Sequence, residues 1–398
     1  MSIARRRFVS GLTGCFAASA APAVFGQSSR TLKLGLIMPF SGPFAVWGRQ
    51  FKQGVELYMN EHGARVGDAN LEVIYRDEAG PNPEKARQSA QELIVREKVN
   101  YLGGLVFTPN ALAVAPVINE TKTPFVIFNA AHSALTRRSP YFARTSFTIW
   151  QSTVPGARWA IQQGIRDAVI IYADYAPGLD ARDAFTSAFT AGNGSIKEAI
   201  AVPLTANDPA PYIQRVMNAK PGVCFIFMPT GPLAVAMYKT FSDLGAMKAG
   251  IRLLGAGELN EIDLPSIGDS AIGVHSSYYY SYVLNNPRNR DFTAKYWKLH
   301  GASAVPDPAA VSAYDGMHVI YEAIRKTGGQ GDGDKVMDAI KGLKWESPRG
   351  PMQIDPVERD VIQDMYIRRV EKRDNKLVCV EIEKFPQVKD QWKEQNKA

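Results

Sequence analysis

Six short windows of this sequence combine hydroxyls, backbone amides beside small residues, and aromatic rings. Each directly follows an apolar run: 41–47, 107–109, 129–133, 173–178, 229–232 and 255–258. Such groups are suited to holding a small amphiphilic molecule. Thr108, with Pro109 behind it, stands where a helix would start, so its hydroxyl and the unpaired amides of a first turn offer a place for an anion such as a carboxylate. The same hydroxyl could instead cap its own helix, a role worth about 1 kcal/mol. His132 in "NAAHSALT" belongs to a second window, and a lone histidine there is as readily structural. Glu258 in "GAGELNE" is a carboxylate directly after its apolar run, able to accept from an ammonium or a hydroxyl, or to be a solvated loop acid. Tyr175 and Gly231 bring a ring and a small-residue amide from two further windows. Tyr278, Tyr279 and Tyr280 point alternately if extended, so only part of the set can face a cleft, and Tyr278 is the candidate.

Elements must bring these windows together. "TLKLGLIMPF", "NLEVIYRDEAG", "VNYLGGLVF" and "TPFVIFNAA" read as strands buried on both faces. Between them lie helices: one with Phe51, Val55, Tyr58 and Met59 on one side, one from "NPEKARQSAQELIV" with Asn82 as N-cap and Pro83 first, and one over 110–120. The cycle restarts with "DAVIIYADYAPG", "IKEAIAVPL", "GVCFIFMPTG" and "IRLLGAGE", so two α/β units meet around 147–154. Alternation of this kind requires parallel sheets covered on both faces, and in such sheets ligands sit beyond the carboxyl ends of the strands, where the windows fall. "SSYYYSYVL", a helix over 310–325 closed by Gly328 and Gly329, and a hairpin over 364–382 remain, and are expected to complete both sheets.

The 398 residues, 45% hydrophobic and 21% charged, suffice for two domains. Arg5, Arg6 and Arg7 carry part of the formal net charge of +7, and the remainder is too diffuse for a nucleic-acid surface. Residues 1–26, "MSIARRRFVSGLTGCFAASAAPAVFG", read as a signal peptide for export to the periplasm, with Arg5-Arg6 before Phe8 in the twin-arginine manner. A membrane anchor would need about 20 strongly apolar residues. "LTGC", ending at Cys15, gives a lipoprotein box as the minor alternative. Cys224 and Cys379 lie in apolar runs and are read as buried small hydrophobes, with a disulfide as the alternative. His62, His132, His275, His300 and His318 are scattered. No Cys/His metal spacing, phosphate-binding G-x-x-x-x-G-K-[ST] or G-x-S-x-G occurs. Neither catalysis nor a cofactor is expected.

"LGLIMPFSGPFAVWGRQFKQGVEL", "VNYLGGLVFTPNALAVAPVINETKTPFV", "SPYFARTSFT", "DYAPGLDARDAF" and "GVCFIFMPTG" together resemble, in order and spacing, the periplasmic substrate-binding proteins of branched-chain amino-acid ABC transporters. The likeness is to the type I leucine/isoleucine/valine-binding group and covers 31–386. It implies an α/β protein of two Rossmann-like lobes with parallel-sheet cores joined by three crossovers, the lobes being 31–148 plus 278–355 and 149–277 plus 356–390. It implies a monomer that closes like a hinged trap on an amino acid or aromatic carboxylate and delivers it to an inner-membrane permease. A ligand-binding sensory protein is the alternative function. By the same resemblance, the loops at Phe107-Thr108 and at Ala130, Ala131 and His132 meet the ligand carboxylate, Gly257-Glu258 supplies an acid for the ammonium, and Trp47 packs on the ligand side chain. Departures from the family pattern are Phe107 where serine is common, His132 where threonine is common, Glu258 displaced by about one place, and Ala309 where an aromatic wall is usual. They fit a wider pocket, for an aromatic amino acid or aromatic carboxylate.

Overall fold

The computed structural model describes residues 30–397. The expected signal peptide, its arginines and Cys15 lie outside the described residues. One sheet is built from β1 (Arg30–Met38), β2 (Arg65–Val66), β3 (Ala69–Asp77), β4 (Tyr101–Gly104), β5 (Phe125–Ile127) and β6 (Phe142–Arg144), in the order β2-β3-β1-β4-β5-β6. Only the β2–β3 pair is antiparallel. Leu32, Leu34, Leu36 and Ile37 of β1 are all fully buried, because helices cover both faces of this sheet. The chain leaves β4 sharply: Gly104 has φ of +103°, and a Cβ there would fall 2.2 Å from the Ile37 carbonyl oxygen. Only glycine fits that turn, which throws 105–107 beyond the sheet edge.

The second sheet contains β7 (Asp167–Ala173), β8 (Ser195–Val202), β9 (Val223–Phe227), β10 (Arg252–Gly255), β11 (His275–Tyr278), β12 (Lys344–Ser347), β13 (Gly350–Ile354), β14 (Val361–Arg373) and β15 (Lys376–Val388). Its order is β12-β13-β14-β11-β10-β9-β7-β8, with β15 also on β14. From β11 to β8 all pairs are parallel, and β12 to β15 add an antiparallel flank. The expectation that the late segments complete both sheets is thereby corrected, since every late strand joins the second sheet and the first receives helices only. Pro308–Thr327 packs on Ala45–His62 so closely that a Cβ on Gly54 would lie 2.1 Å from the Ala310 oxygen. Cys224 and Cys379 are free and buried.

The chain passes between the sheets after β6, after β11 and just ahead of β12. The first pass begins helix Ile149–Gln162, where Thr148 and Gln151 form a reciprocal capping box. At the third, Trp345 and Ser347 of the β12–β13 hairpin donate to Asp315 of helix Pro308–Thr327. Arg349, 1% exposed, pairs with Asp315 at 2.9 Å and donates to the Ser146 oxygen at 3.0 Å, tying the first pass to the third. A buried guanidinium is tolerable only when so fully paired.

Candidate functional site

The first-sheet loops are held from behind by buried charge. Glu78, directly after β3, accepts from the Val106 N–H at 3.0 Å and the Asn110 side-chain amide at 2.6 Å. Burial pushes its carboxyl up to about 8. This clamp sets the loop carrying Phe107 and Thr108. The helix there runs Thr108–Thr121 with Phe107 at the N-cap position and no side-chain cap. Thr108 is therefore not the cap that the sequence suggested. Its hydroxyl accepts instead from the His132 N–H, at 3.4 Å.

Arg144, at the end of β6, plays the matching role for the loop after β5. It donates to the oxygens of Ala130 (2.9 Å) and His132 (3.0 Å) and pairs with Asp360. The Ala130 N–H donates to Leu105. Both backbone groups of Ala130 are thus occupied, which removes it as a binder through its amide. The His132 ring accepts at Nδ1 from the Ala134 N–H at 3.0 Å, and burial, then Arg144 and Arg138, lower its pKa to about 4. With Nδ1 committed as an acceptor, its 3.6 Å approach to Asp180 is no ion pair. Ala131 keeps an N–H with no partner among the described residues. The next residue, Ser133, donates its N–H to Asp180 at 3.0 Å, joining this loop to helix Ala176–Ala191 that follows β7.

From the second sheet, Tyr175 opens helix Ala176–Ala191 and stacks with Phe227, 6.5 Å between centroids and 22° between planes. Gly231 has φ of +124° at the start of helix Pro232–Asp243, and its N–H is taken by Asp263 at 3.1 Å. Its glycine serves the backbone turn. In "GAGE" each glycine makes room for a tyrosine: a Cβ on Gly255 would be 2.0 Å from the Tyr238 oxygen, and one on Gly257 would be 2.6 Å from the Tyr278 ring. Glu258, 1% exposed, accepts at Oε1 from Tyr238 (2.9 Å) and from the Ala256 N–H (3.1 Å). Oε2 is buried without a partner, and burial pushes the carboxyl up to about 7. Arg368, fully buried beneath, lies 5.2 Å from the Tyr278 ring. Tyr279 and Tyr280 turn away, donating to Pro308 and Asn289.

These loops meet around a cavity of ≈ 90 Å³. Trp47, Phe107, Thr108, Ala131, Tyr175, Glu258 and Tyr278 line it, whereas Ala130, His132 and Gly231 do not. Ala309 is buried in Pro308–Thr327, outside that lining. Phe44, inside the 41–47 window but not singled out there, lines the cavity too, as do Phe147 and Phe227, which fell outside every window. Phe44 sits edge-on to Phe107 (4.9 Å) and Phe147 edge-on to Tyr278 (5.0 Å). Phe227 lay inside an apolar run and so read as core, while Phe147 lies in the first pass between sheets, which carries no strand-end signal. Rings surround a small polar set, an arrangement that grips a flat apolar body and orients its polar ends. Among the described residues no group of three or more His, Cys, Asp or Glu could hold a metal, and no helix is long and apolar enough to cross a membrane.

A family model described as periplasmic binding protein matches residues 31–375. The chain is 44% identical over 345 residues to Leu/Ile/Val-binding protein homolog 6 of Brucella melitensis, covering 86% of this chain and 88% of that one. A solved solute-binding protein of an R. palustris ABC transporter, in complex with 4-hydroxybenzoate, superposes with a TM-score of 0.87 at 45% identity, covering 90% of this chain and 98% of the other. Another, from Rhodopseudomonas palustris BisB5 in complex with 3,4-dihydroxy benzoic acid, gives 0.86 at 44% identity, covering 91% and 99%.

Proposed function

We propose that this chain, which belongs to the periplasmic binding protein family and is a solute-binding component of ABC transport, takes a benzoate-type aromatic acid as its ligand. The observation that carries this reading is the cavity wall: rings from both sheets, among them Phe107, Phe147, Tyr175 and Phe227, enclose a space suited to a planar ring. The Thr108 hydroxyl and the Ala131 N–H, both on first-sheet loops, supply donors for a carboxylate at a helix start. Hydroxybenzoates in similar solute-binding proteins support the choice of an aromatic acid. The curated relatives carry leucine, isoleucine and valine in their names, and an aliphatic amino acid is the competitor to be tested.

In this reading the two lobes, one around each sheet, close over the ligand, with the β12–β13 hairpin counted with the second sheet so that the last boundary falls before Lys344 rather than at 355, and the closed form of a monomer is recognised by an inner-membrane permease. Export follows the twin-arginine leader, with lipidation at Cys15 as the lesser route, and no catalysis is assigned. A thermal-shift series with benzoate, hydroxybenzoates, leucine and phenylalanine tests the ligand class. A ligand at 100 times its Kd adds about 2.7 kcal/mol to the native state. The aromatic acids are expected to raise the melting temperature and leucine to leave it in place; the reverse pattern would overturn the reading.

A further inference from the structure

We infer that Glu258, oriented by Tyr238, is the group that reads the ring substituent of the ligand, and that it selects acids bearing a hydroxyl opposite the carboxylate over benzoate itself. The inference rests on the aromatic-acid reading above and names the substrate class within it. Glu258 lines the cavity, yet one of its oxygens is fully engaged and the other is not. A carboxylate oxygen shut away from water without a hydrogen bond is costly unless something bound supplies the donor. The surrounding rings of Tyr175, Phe227 and Tyr278 offer no such donor at Oε2 in this structure.

The chemistry of the missing donor follows from what stands nearby. One orphaned acceptor matches a group that gives one hydrogen, as a phenolic hydroxyl does; an ammonium brings three and a full charge. The carboxylate donors, Thr108 and Ala131, come from the first sheet and Glu258 from the second. A ring with polar groups at opposite ends bridges the two sets, and its faces meet the aromatic walls.

Tyr238 touches no cavity surface but sets the geometry. Its hydroxyl donates to Oε1 at 2.9 Å and is fully buried against the backbone, with no room at Gly255 for even a methyl group. It cannot swing away, and the Ala256 N–H fixes Oε1 from another side. Oε2 is consequently held in one direction. Tyr238 is a positioning residue, and Glu258 the contact.

Calorimetric titration of the full mature chain with benzoate and 4-hydroxybenzoate, repeated on Glu258→Gln and Tyr238→Phe, tests this. The unaltered protein is expected to prefer 4-hydroxybenzoate by at least about tenfold, as expected when a buried acceptor gains a hydrogen bond it otherwise lacks. In Glu258→Gln the ratio of the two affinities should collapse at least fivefold, since the amide nitrogen that replaces Oε2 donates and cannot accept; in Tyr238→Phe it should fall in the same direction by a smaller factor. The ratio, unlike either affinity alone, is insensitive to general loosening of the fold. Equal binding of both acids by the unaltered protein, or equal weakening of both in the variants, would overturn the inference while leaving the aromatic-acid reading in place. Binding of leucine with neither acid bound would overturn both.

Discussion

A hydroxyl that does not cap its own helix can be removed without loosening that helix. Thr108 is in this position, because its oxygen meets the His132 N–H across a loop instead of a first-turn amide. Thr108→Val is expected to destabilise the fold by less than the roughly 1 kcal/mol that a lost cap costs. The same change should weaken a bound aromatic acid by about 1.5–3 kcal/mol, the range for a donor to a charged acceptor. Urea titration and calorimetry separate the two effects, and unchanged affinity would remove Thr108 from the site. Residues of this kind are half legible in sequence. Thr108, Tyr175 and Glu258 announced themselves by following apolar runs, but Glu78 and Tyr238 did not, because their importance comes from partners that only folding brings near. Gly231 and His132 illustrate the converse: their position looked right, and their polar groups were already spent on Asp263 and Ala134.

At the scale of elements, the loop after β5 depends on charges distant in sequence. Arg144 and Lys393, both almost wholly buried, converge on Asp360, just before β14. Burial alone would push the Asp360 carboxyl up; Arg144 and Lys393 together hold it below the usual carboxylate range. Asp360→Ala would take from buried Arg144 its carboxylate and leave buried Lys393 with Glu358 as its only carboxylate, at 3.4 Å, and is expected to cost about 3–5 kcal/mol, read from denaturant midpoints. A loss under 1 kcal/mol would show that water reaches this cluster. The same pair explains what the sequence could not reveal. β9, β7 after Asp167 and β1 from Leu34 onward are apolar runs and were readable as strands buried on both faces. β6 is only Phe142–Arg144, its buried arginine being intelligible once Asp360 is seen beside it. The hairpin of β14 and β15 was legible as a hairpin, while its choice of sheet was not: eight consecutive residues of β14 are buried, Gln363, Asp364 and Arg368 among them, and the partners of Gln363 and Arg368 come from distant parts of the chain.

Across the whole molecule, buried acids and buried histidines oppose one another in pH dependence. Burial pushes Glu78 and Asp307 up to about 8 and Asp180 and Glu258 up to about 7. Groups raised in this way contribute stability that is present in full below the unfolded carboxyl value of about 4 and is lost as pH rises through 7 to 8. His132 and His275, both lowered to about 4 chiefly by burial, act in the other direction, contributing above about 6.5 and losing that contribution as pH falls toward 4. Four raised acids outweigh two lowered histidines, so the ligand-free melting temperature, at constant ionic strength, is expected to fall between pH 5 and pH 9. A steady rise to pH 9 would contradict the buried-acid assignment, and Glu78→Gln together with Asp307→Asn should flatten the alkaline fall.

The hydrogen bond from Ser133 to Asp180 links the loop after β5 to the helix after β7, yet neither residue lines the cavity. A clasp placed outside the chamber is blind to what the chamber contains. Residence time and discrimination would then be separate properties: the clasp sets how long any guest is detained, the walls decide which guest is worth detaining, and evolution could tune either without disturbing the other.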